Sequence, residues 1–247
     1  MAMLSGKIAL VTGASAGIGA ATVKALASAG AEVHAVARRA ERLEALASQT
    51  KCTVHACDVT DAGARAVLAD AVTPDILVNN AGIGAGFAGL ASAEADEIER
   101  TINTNVTAVL QLLRVMLPGM TAAKRGHIVN VGSVAGIYPT QSAIYGASKG
   151  AIRMLDWNLR HELKGTGIRV TEIQPGRVAT EFYDAAIPDD AETRNRFKVT
   201  GIQELTSEDV ASAILYAVTA PRHVNVSAIE LQPVEQIFGG VSFDRQP

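Results

Sequence analysis

A chain of 247 residues, 48% hydrophobic and 19% charged, is long enough to bury one large core, so a single domain over residues 1–247 is expected. Its net charge of −3 argues against a nucleic-acid binder that neutralises phosphates with a basic face. No stretch approaches the roughly 18 apolar residues of a membrane span, and no basic start leads into a long apolar run; a cytoplasmic protein with a small-molecule ligand is the expectation.

Short β-rich runs alternate with longer helical patterns from end to end, the pattern of βαβ units and a parallel sheet. Strands are predicted at residues 7–12, 32–37, 53–58, 75–79, 127–132, 168–174 and 224–231. Most are continuous apolar runs, as strands buried on both faces by helices require. Cys52 and Cys57 lack CxxC spacing, and the 5 histidines lack HExxH or other ligand spacing, so no metal is expected.

Directly after the first strand comes Thr12-Gly-Ala-Ser-Ala-Gly-Ile-Gly19, then a helical run. Glycines at 13, 17 and 19 let a pyrophosphate approach the backbone, and the helix N-terminus favours its charge. Ser15 and Ile18 lie in this turn. The same residues spell the GxSxG nucleophile elbow of α/β-hydrolases, which makes Ser15 a rival nucleophile. That rival needs an oxyanion loop from an earlier strand and a late histidine, for which only His223 offers itself.

The second strand ends in Arg38-Arg39, where a carboxylate would grip a free ribose hydroxyl. Guanidinium donors there suit a 2′-phosphate instead, hence NADP(H); the plain alternative is a solvated helix start. Asp58, followed by Val59, stands where it could contact adenine or cap the next helix.

Tyr145-Gly-Ala-Ser-Lys149 places a phenol and an ammonium one turn apart on one helix face, with Ser133 upstream. A fixed cation beside a phenol should lower its pKa and make it a usable acid or base. Ile152, Leu155, Leu159 and Leu163 continue the apolar stripe of that helix to a stop at Gly165. Residues 181–205 break the pattern with Pro188, Asp189, Asp190, Arg194, Arg196 and Lys198, predicting a long mobile loop. Thr206-Ser-Glu-Asp209 then reads as a helix cap.

The glycine turn, Asn79-Asn-Ala-Gly82, Ser133, Tyr145-x-x-x-Lys149 and Pro175-Gly-Arg-Val-Ala-Thr180, in this order, resemble the short-chain dehydrogenase/reductase family over essentially the whole chain. The resemblance implies a Rossmann-type doubly wound α/β fold, a seven-stranded parallel sheet with helices on both faces. It implies a tetrad of Asn105, Ser133, Tyr145 and Lys149: Tyr145 as acid or base, Ser133 on the substrate oxygen, Lys149 on the phenol and the nicotinamide ribose, and Asn105 holding a relay water. It further implies that Asn79 stabilises the sheet centre, that Asn80, Ala81 and Gly82 flank the adenosine ribose, and that Pro175, Gly176, Val178 and Thr180 border the nicotinamide. Ile137, Tyr138, Gln141 and Arg177 are candidate substrate contacts, and residues 181–205 resemble a substrate-covering segment.

The C-terminal strand lacks an Asp-Gly-Gly end. His223-Val-Asn-Val226 and Pro233-Val-Glu-Gln236 are similar to the NADP-dependent subgroup acting on 3-hydroxy acids and serine. A small polar alcohol or ketone follows as substrate class, with a non-catalytic NADP(H) sensor as the alternative. The resemblance also implies a homotetramer, and the long helices near residues 94–123 and 145–164 carry more apolar residues, such as Val109, Leu112, Val115, Met116, Met154 and Trp157, than one stripe needs.

Overall fold

The computed structural model describes residues 2–187, 190–237 and 242–243, of which 196, 242 and 243 by backbone only. Seven parallel strands form one sheet in the order β3-β2-β1-β4-β5-β6-β7. They are β1 (Ile8–Thr12), β2 (Glu32–Ala37), β3 (Thr53–Ala56), β4 (Ile76–Asn79), β5 (Gly126–Val131), β6 (Ile168–Pro175) and β7 (Ala228–Leu231). The expected doubly wound α/β fold is the observed one. Strand order reverses between β1 and β4, and ligands of such sheets bind beyond the strand C-termini at that point.

Alternation along the strands divides the core in two. Ala9, Val11, Val78 and Val129 face α1 (Gly17–Ser28), α2 (Ala40–Thr50) and α9 (Ser207–Thr219), meeting Val23, Leu26, Leu43, Leu46, Val210 and Ile214. Leu10, Leu77, Ile128 and Val170 face the opposite layer of α3 (Ala62–Ala71), α5 (Ala108–Ala122) and α6 (Ala143–Glu162), meeting Leu68, Leu112, Met116, Ile152 and Leu159. Two buried faces explain why these strands read as continuous apolar runs.

The remaining helices are α4 (Ala95–Ile102), α7 (Phe182–Ala186) and α8 (Ala191–Lys198), and a short antiparallel ribbon pairs β8 (Gln236–Ile237) with β9 (Ser242–Phe243). Ile152, Leu159 and Leu163 are buried in α6 as the stripe predicts, and Leu155 is partly so. Thr206 and Asp209 form the reciprocal capping box of α9.

Three expectations are corrected. The predicted strand at 224–231 begins only at Ala228, because the Asn225 side chain accepts from Val170 N and donates to Val170 O, bonds that a paired strand would otherwise make. The helical run at 94–123 is interrupted by a π-turn at Asn103–Thr107. Residues 181–205 contain α7 and α8 rather than an irregular loop; Pro188, Asp189 and the Arg196 side chain lie outside the described residues.

The segment is closed at its base. Val178 bridges Leu205, Ala179 N donates to Leu205 O, and Leu205 N donates to Arg177 O. Ile187 and Phe197 are buried, and Phe87, Tyr183 and Phe197 pack with ring centroids 5.1–5.5 Å apart. The charges that suggested mobility are paired: Lys198 Nζ donates to both Asp184 oxygens at 2.9 Å, and Arg194 Nη1 donates to Ile187 O.

Candidate active site

The glycine turn joins β1 to α1 against the end of β4. Gly13 and Gly17 hold φ of +67° and +52°, values that a side chain disfavours. A Cβ on Gly19 would lie 2.3 Å from Gly13 O and 2.6 Å from Asn80 Nδ2, so only glycine packs there. Asn80 Nδ2 donates to Thr12 O at 2.9 Å and ties the turn to β4. Thr12 Oγ1 accepts from the amides of Asn80 and Ala81, both at 3.0 Å. The N-cap of α1, Ala16, supplies no side-chain acceptor, which leaves that helix end to an external anion.

A cavity of about 690 Å³ opens beside this turn, lined among others by Ser15, Gly17, Arg42, Val178 and Thr180. Thr180 reaches the turn itself, its Cγ2 lying 3.3 Å from where a Gly17 Cβ would be. Arg39 donates to Ser15 Oγ through Nε at 3.0 Å and Nη2 at 2.9 Å. A hydroxyl gripped by a guanidinium is poorly placed as a nucleophile, which weighs against the esterase reading of Ser15. Arg39 and Arg42 both donate to Glu181, at 3.3 and 2.7 Å, and those donors hold its carboxyl below the usual range despite some desolvation. Arg38 is exposed and pairs loosely with Asp58 at 3.8 Å. Asp58 Oδ1 accepts from Thr60 N and Oγ1, so it orders the turn before α3, and Val59 is buried with its carbonyl accepting from Arg65. Sequence reading missed Arg42, which lies in the first turn of α2 while Arg39 is its N-cap.

The second half of the site lies across β4 and β5. Ser142 caps α6, accepting from Tyr145 N at 3.0 Å, which fixes the turn carrying Tyr145 and Lys149. Lys149 Nζ donates to Val131 O at 2.7 Å and lies 5.7 Å from the Tyr145 ring centroid. It also lies 3.7 Å from the position of a Gly82 Cβ, and Asn105 Oδ1 is 3.3 Å from that same point. The π-turn aims Asn105 inward, a common use of such bulges. Its amide is engaged at both ends, Oδ1 accepting from Ile83 N and Nδ2 donating to Ile83 O at 2.8 Å each, with Ser148 Oγ at 3.0 Å. Asn105 thus clamps the loop after β4.

Ser133 sits at the end of β5, its hydroxyl 3.4 Å from Pro175 O. Burial pushes the Tyr145 phenol up, and the nearby Ser133 hydroxyl offsets this in part. The direction for this phenol is set by burial, with Tyr183 adding to it, and not by the Lys149 cation. Burial brings the Lys149 ammonium down to about 8, opposed by Glu172. Phe182 covers Tyr145 with ring centroids 5.3 Å apart.

The candidate substrate contacts divide. Ile137 and Tyr138 are half-buried and Gln141 exposed, with the Tyr138 hydroxyl donating to Glu230 at 3.3 Å. Arg177 lines the same cavity as Thr180, and its guanidinium is engaged within the chain. It is 7% exposed, donates from Nε to Glu204 at 2.8 Å and from Nη2 to Phe197 O, and stacks 4.3 Å from the Tyr183 ring centroid. Gly176 packs where a Cβ would strike Gln236 Oε1, which in turn accepts from Arg177 N at 2.7 Å. Phe182, Tyr183, Glu181 and Glu204 all escaped sequence reading, since a segment read as mobile offers no periodicity to place them.

The geometry defines a dinucleotide-type anion cradle facing a Ser, Tyr and Lys cluster. The family model described as short chain dehydrogenase matches residues 7–191, and the chain belongs to that family of oxidoreductases. It is 37% identical to the NADP-dependent 3-hydroxy acid dehydrogenase YdfG of Salmonella typhi, over 96% of this chain and 99% of that protein. It is 37% identical to serine 3-dehydrogenase of Agrobacterium fabrum, over 98% of this chain and 100% of that one. A solved closed form of serine dehydrogenase complexed with NADP+ superposes with a TM-score of 0.89 at 36% identity, covering 97% and 100% of the two chains. Among the described residues, no helix is long and apolar enough to cross a membrane.

Proposed function

We propose that this enzyme is an NADP(H)-dependent dehydrogenase/reductase of a secondary alcohol or ketone, acting on a small polar or hydroxy-acid substrate. The observation that carries the reading is the pairing of two features on one sheet edge: a glycine cradle flanked by Ser15, Arg39 and Arg42, and Ser133, Tyr145 and Lys149 beside it. The kinship with NADP-dependent hydroxy-acid and serine dehydrogenases supports both cofactor and substrate class.

The residues present fit a phosphorylated dinucleotide. The glycine turn and the open end of α1 would hold the pyrophosphate, Ser15 with Arg38, Arg39 and Arg42 the 2′-phosphate, and Val178 and Thr180 the carboxamide end. When bound, the nicotinamide accepts or supplies the hydride. The protein supplies alignment and proton transfer. In reduction, Ser133 Oγ donates a hydrogen bond to the substrate oxygen, and Tyr145, raised by burial and so kept as the phenol, delivers its proton to the developing alkoxide. Lys149 stabilises the phenolate left behind. Phe182 over Tyr145 excludes water from that exchange.

One catalytic unit spanning residues 1–247, in the cytoplasm, completes the proposal. A homotetramer is supported by Leu110, Met154 and Trp157, which remain 45%, 55% and 59% exposed on α5 and α6, while Val109, Leu112 and Met116 are consumed by the core. Sedimentation as a monomer would contradict that assembly. The test of function is a paired titration with NADPH and NADH followed by turnover of hydroxy acids, serine and neutral alcohols. Tighter NADPH binding with turnover of the polar substrates is the expected result, and preference for NADH would overturn the cofactor assignment.

A further inference from the structure

Glu181 straps the segment that covers Tyr145 to the arginines beside the glycine turn. It is the N-cap residue of α7, 142 and 139 positions beyond Arg39 and Arg42 in the chain. Its Oε1 and Oε2 accept from Arg42 Nη1 at 3.0 and 2.7 Å, and Oε2 accepts also from Arg39 Nη1 at 3.3 Å. Arg39 meanwhile grips Ser15 Oγ through Nε and Nη2. Ser15, Gly17, Arg42 and Glu181 line one cavity, so the ion pair ties the α2 side of that cavity to the segment side.

Three consecutive residues share the work of covering the site. Thr180 Cγ2 lies 3.3 Å from the Cβ position of Gly17, Glu181 holds the arginines, and the Phe182 ring lies over Tyr145 with centroids 5.3 Å apart. Phe182 also reaches the loop after β4, its Cζ lying 2.3 Å from the Cβ position of Gly84. Planar peptides leave two soft dihedrals per residue, so the place of Glu181 restrains that of Phe182 next to it.

A 2′-phosphate brings about −1.5 to −2 charge and three acceptor oxygens, against the single charge and two oxygens of a carboxylate. Both anions need the same guanidinium donors, and holding them side by side adds like-charge repulsion. A free 2′-hydroxyl brings no charge to exchange for the carboxylate. We propose that Glu181 is a latch that reads the 2′-phosphate: it occupies the phosphate seat of the ligand-free chain, and a 2′-phosphorylated adenosine displaces it. Displacement frees the first turn of α7, so that Phe182 lifts from Tyr145 while substrate enters and settles back for the proton transfer. An unphosphorylated adenosine leaves the latch closed. The proposal rests on Arg39 and Arg42 holding the 2′-phosphate as described above.

The experiment uses the full chain and no nicotinamide. Adenosine 2′,5′-bisphosphate and adenosine 5′-monophosphate are titrated by calorimetry into the wild type and Glu181→Gln. Hydrogen exchange is followed at the amides of Ala185 and Ile187, which donate to Glu181 O and Tyr183 O in α7. The bisphosphate, but not the monophosphate, should speed exchange at both amides of the wild type. Glu181→Gln should show the faster exchange without ligand, bind the bisphosphate roughly two- to thirtyfold tighter and bind the monophosphate as before. Bisphosphate preference with no gain from Glu181→Gln, an equal gain for the monophosphate, or α7 exchange unmoved by saturating bisphosphate overturns the proposal alone. Equal affinity of the wild type for the two nucleotides overturns the cofactor reading, and the proposal with it.

Discussion

Arg177 separates a substrate contact from a structural strap, and Arg177→Ala tests which it is. The guanidinium is 7% exposed and is held by Glu204, by the Phe197 carbonyl and by the Tyr183 ring. Removing one partner of a buried ion pair destabilises by about 3–5 kcal/mol. Glu204 is 14% exposed and still accepts from Thr200 Oγ1 at 3.0 Å, so the lower end, about 3 kcal/mol, applies. The loss falls on the closure of the segment between Arg177 and Glu204 rather than on the sheet, and 3 kcal/mol corresponds to a roughly hundredfold rise in its open population. Hydrogen exchange of amides in α7 and α8 reads this directly, and those of β4 and β5 serve as the internal reference. Activity should fall equally on hydroxy acids and neutral alcohols, since the segment covers Tyr145 whatever the substrate. Unchanged exchange in α7 and α8 would refute the strap, and selective loss of hydroxy-acid turnover would restore Arg177 as a substrate contact.

Tyr145→Phe should retain NADPH binding while turnover falls by roughly 10²–10⁴-fold, the usual worth of a positioned acid or base; stopped-flow and fluorescence titration check the two halves. Lys149 is a cation below about 8 and loses its charge as pH rises through that value, so carbonyl reduction should decline above it, which a pH profile of kcat/KM measures. Glu181 is 54% exposed and occupies Arg39 and Arg42; Glu181→Gln frees both donors, and with exposed pairs worth about 0.2–1 kcal/mol each, NADPH should bind roughly two- to thirtyfold tighter by calorimetry. His127 is buried with Nε2 2.7 Å from Thr171 Oγ1, whose own proton goes to Val226 O, so Nε2 is the donor and the ring is neutral. Burial and Arg169 bring it down to about 3, below the unfolded value near 6.5. The unfolded chain then binds the extra proton as pH falls from 6.5 to 3, and stability is lost across that window, by about 3 kcal/mol at pH 4. His127→Gln should flatten this acid limb in urea unfolding.

Much of what depends on short chain spacing was legible in advance, Arg42 and the π-turn at Asn103–Thr107 excepted. The glycine turn after β1, the Tyr145 and Lys149 pair one turn apart, the α6 stripe and the Thr206 box are set by residues within a few positions of one another, where backbone sterics, helix periodicity and capping act. The seven strands announced themselves because both sheet faces are buried, which forces continuous apolar runs. Tertiary structure alone decided what depends on residues far apart. Arg177 reads as a free cation until Glu204 and the Phe197 carbonyl are seen around it, and residues 181–205 read as loose until Phe87, from the other half of the chain, supplies the surface on which Tyr183 and Phe197 pack. The phenol of Tyr145 was expected to be lowered by the lysine beside it, but burial pushes it up, and desolvation is set by what the whole fold brings over a group. The buried polar row of Asn79, Asn130 and Glu172 forms only because register aligns β4, β5 and β6 beneath α6, a pairing that local spacing does not encode.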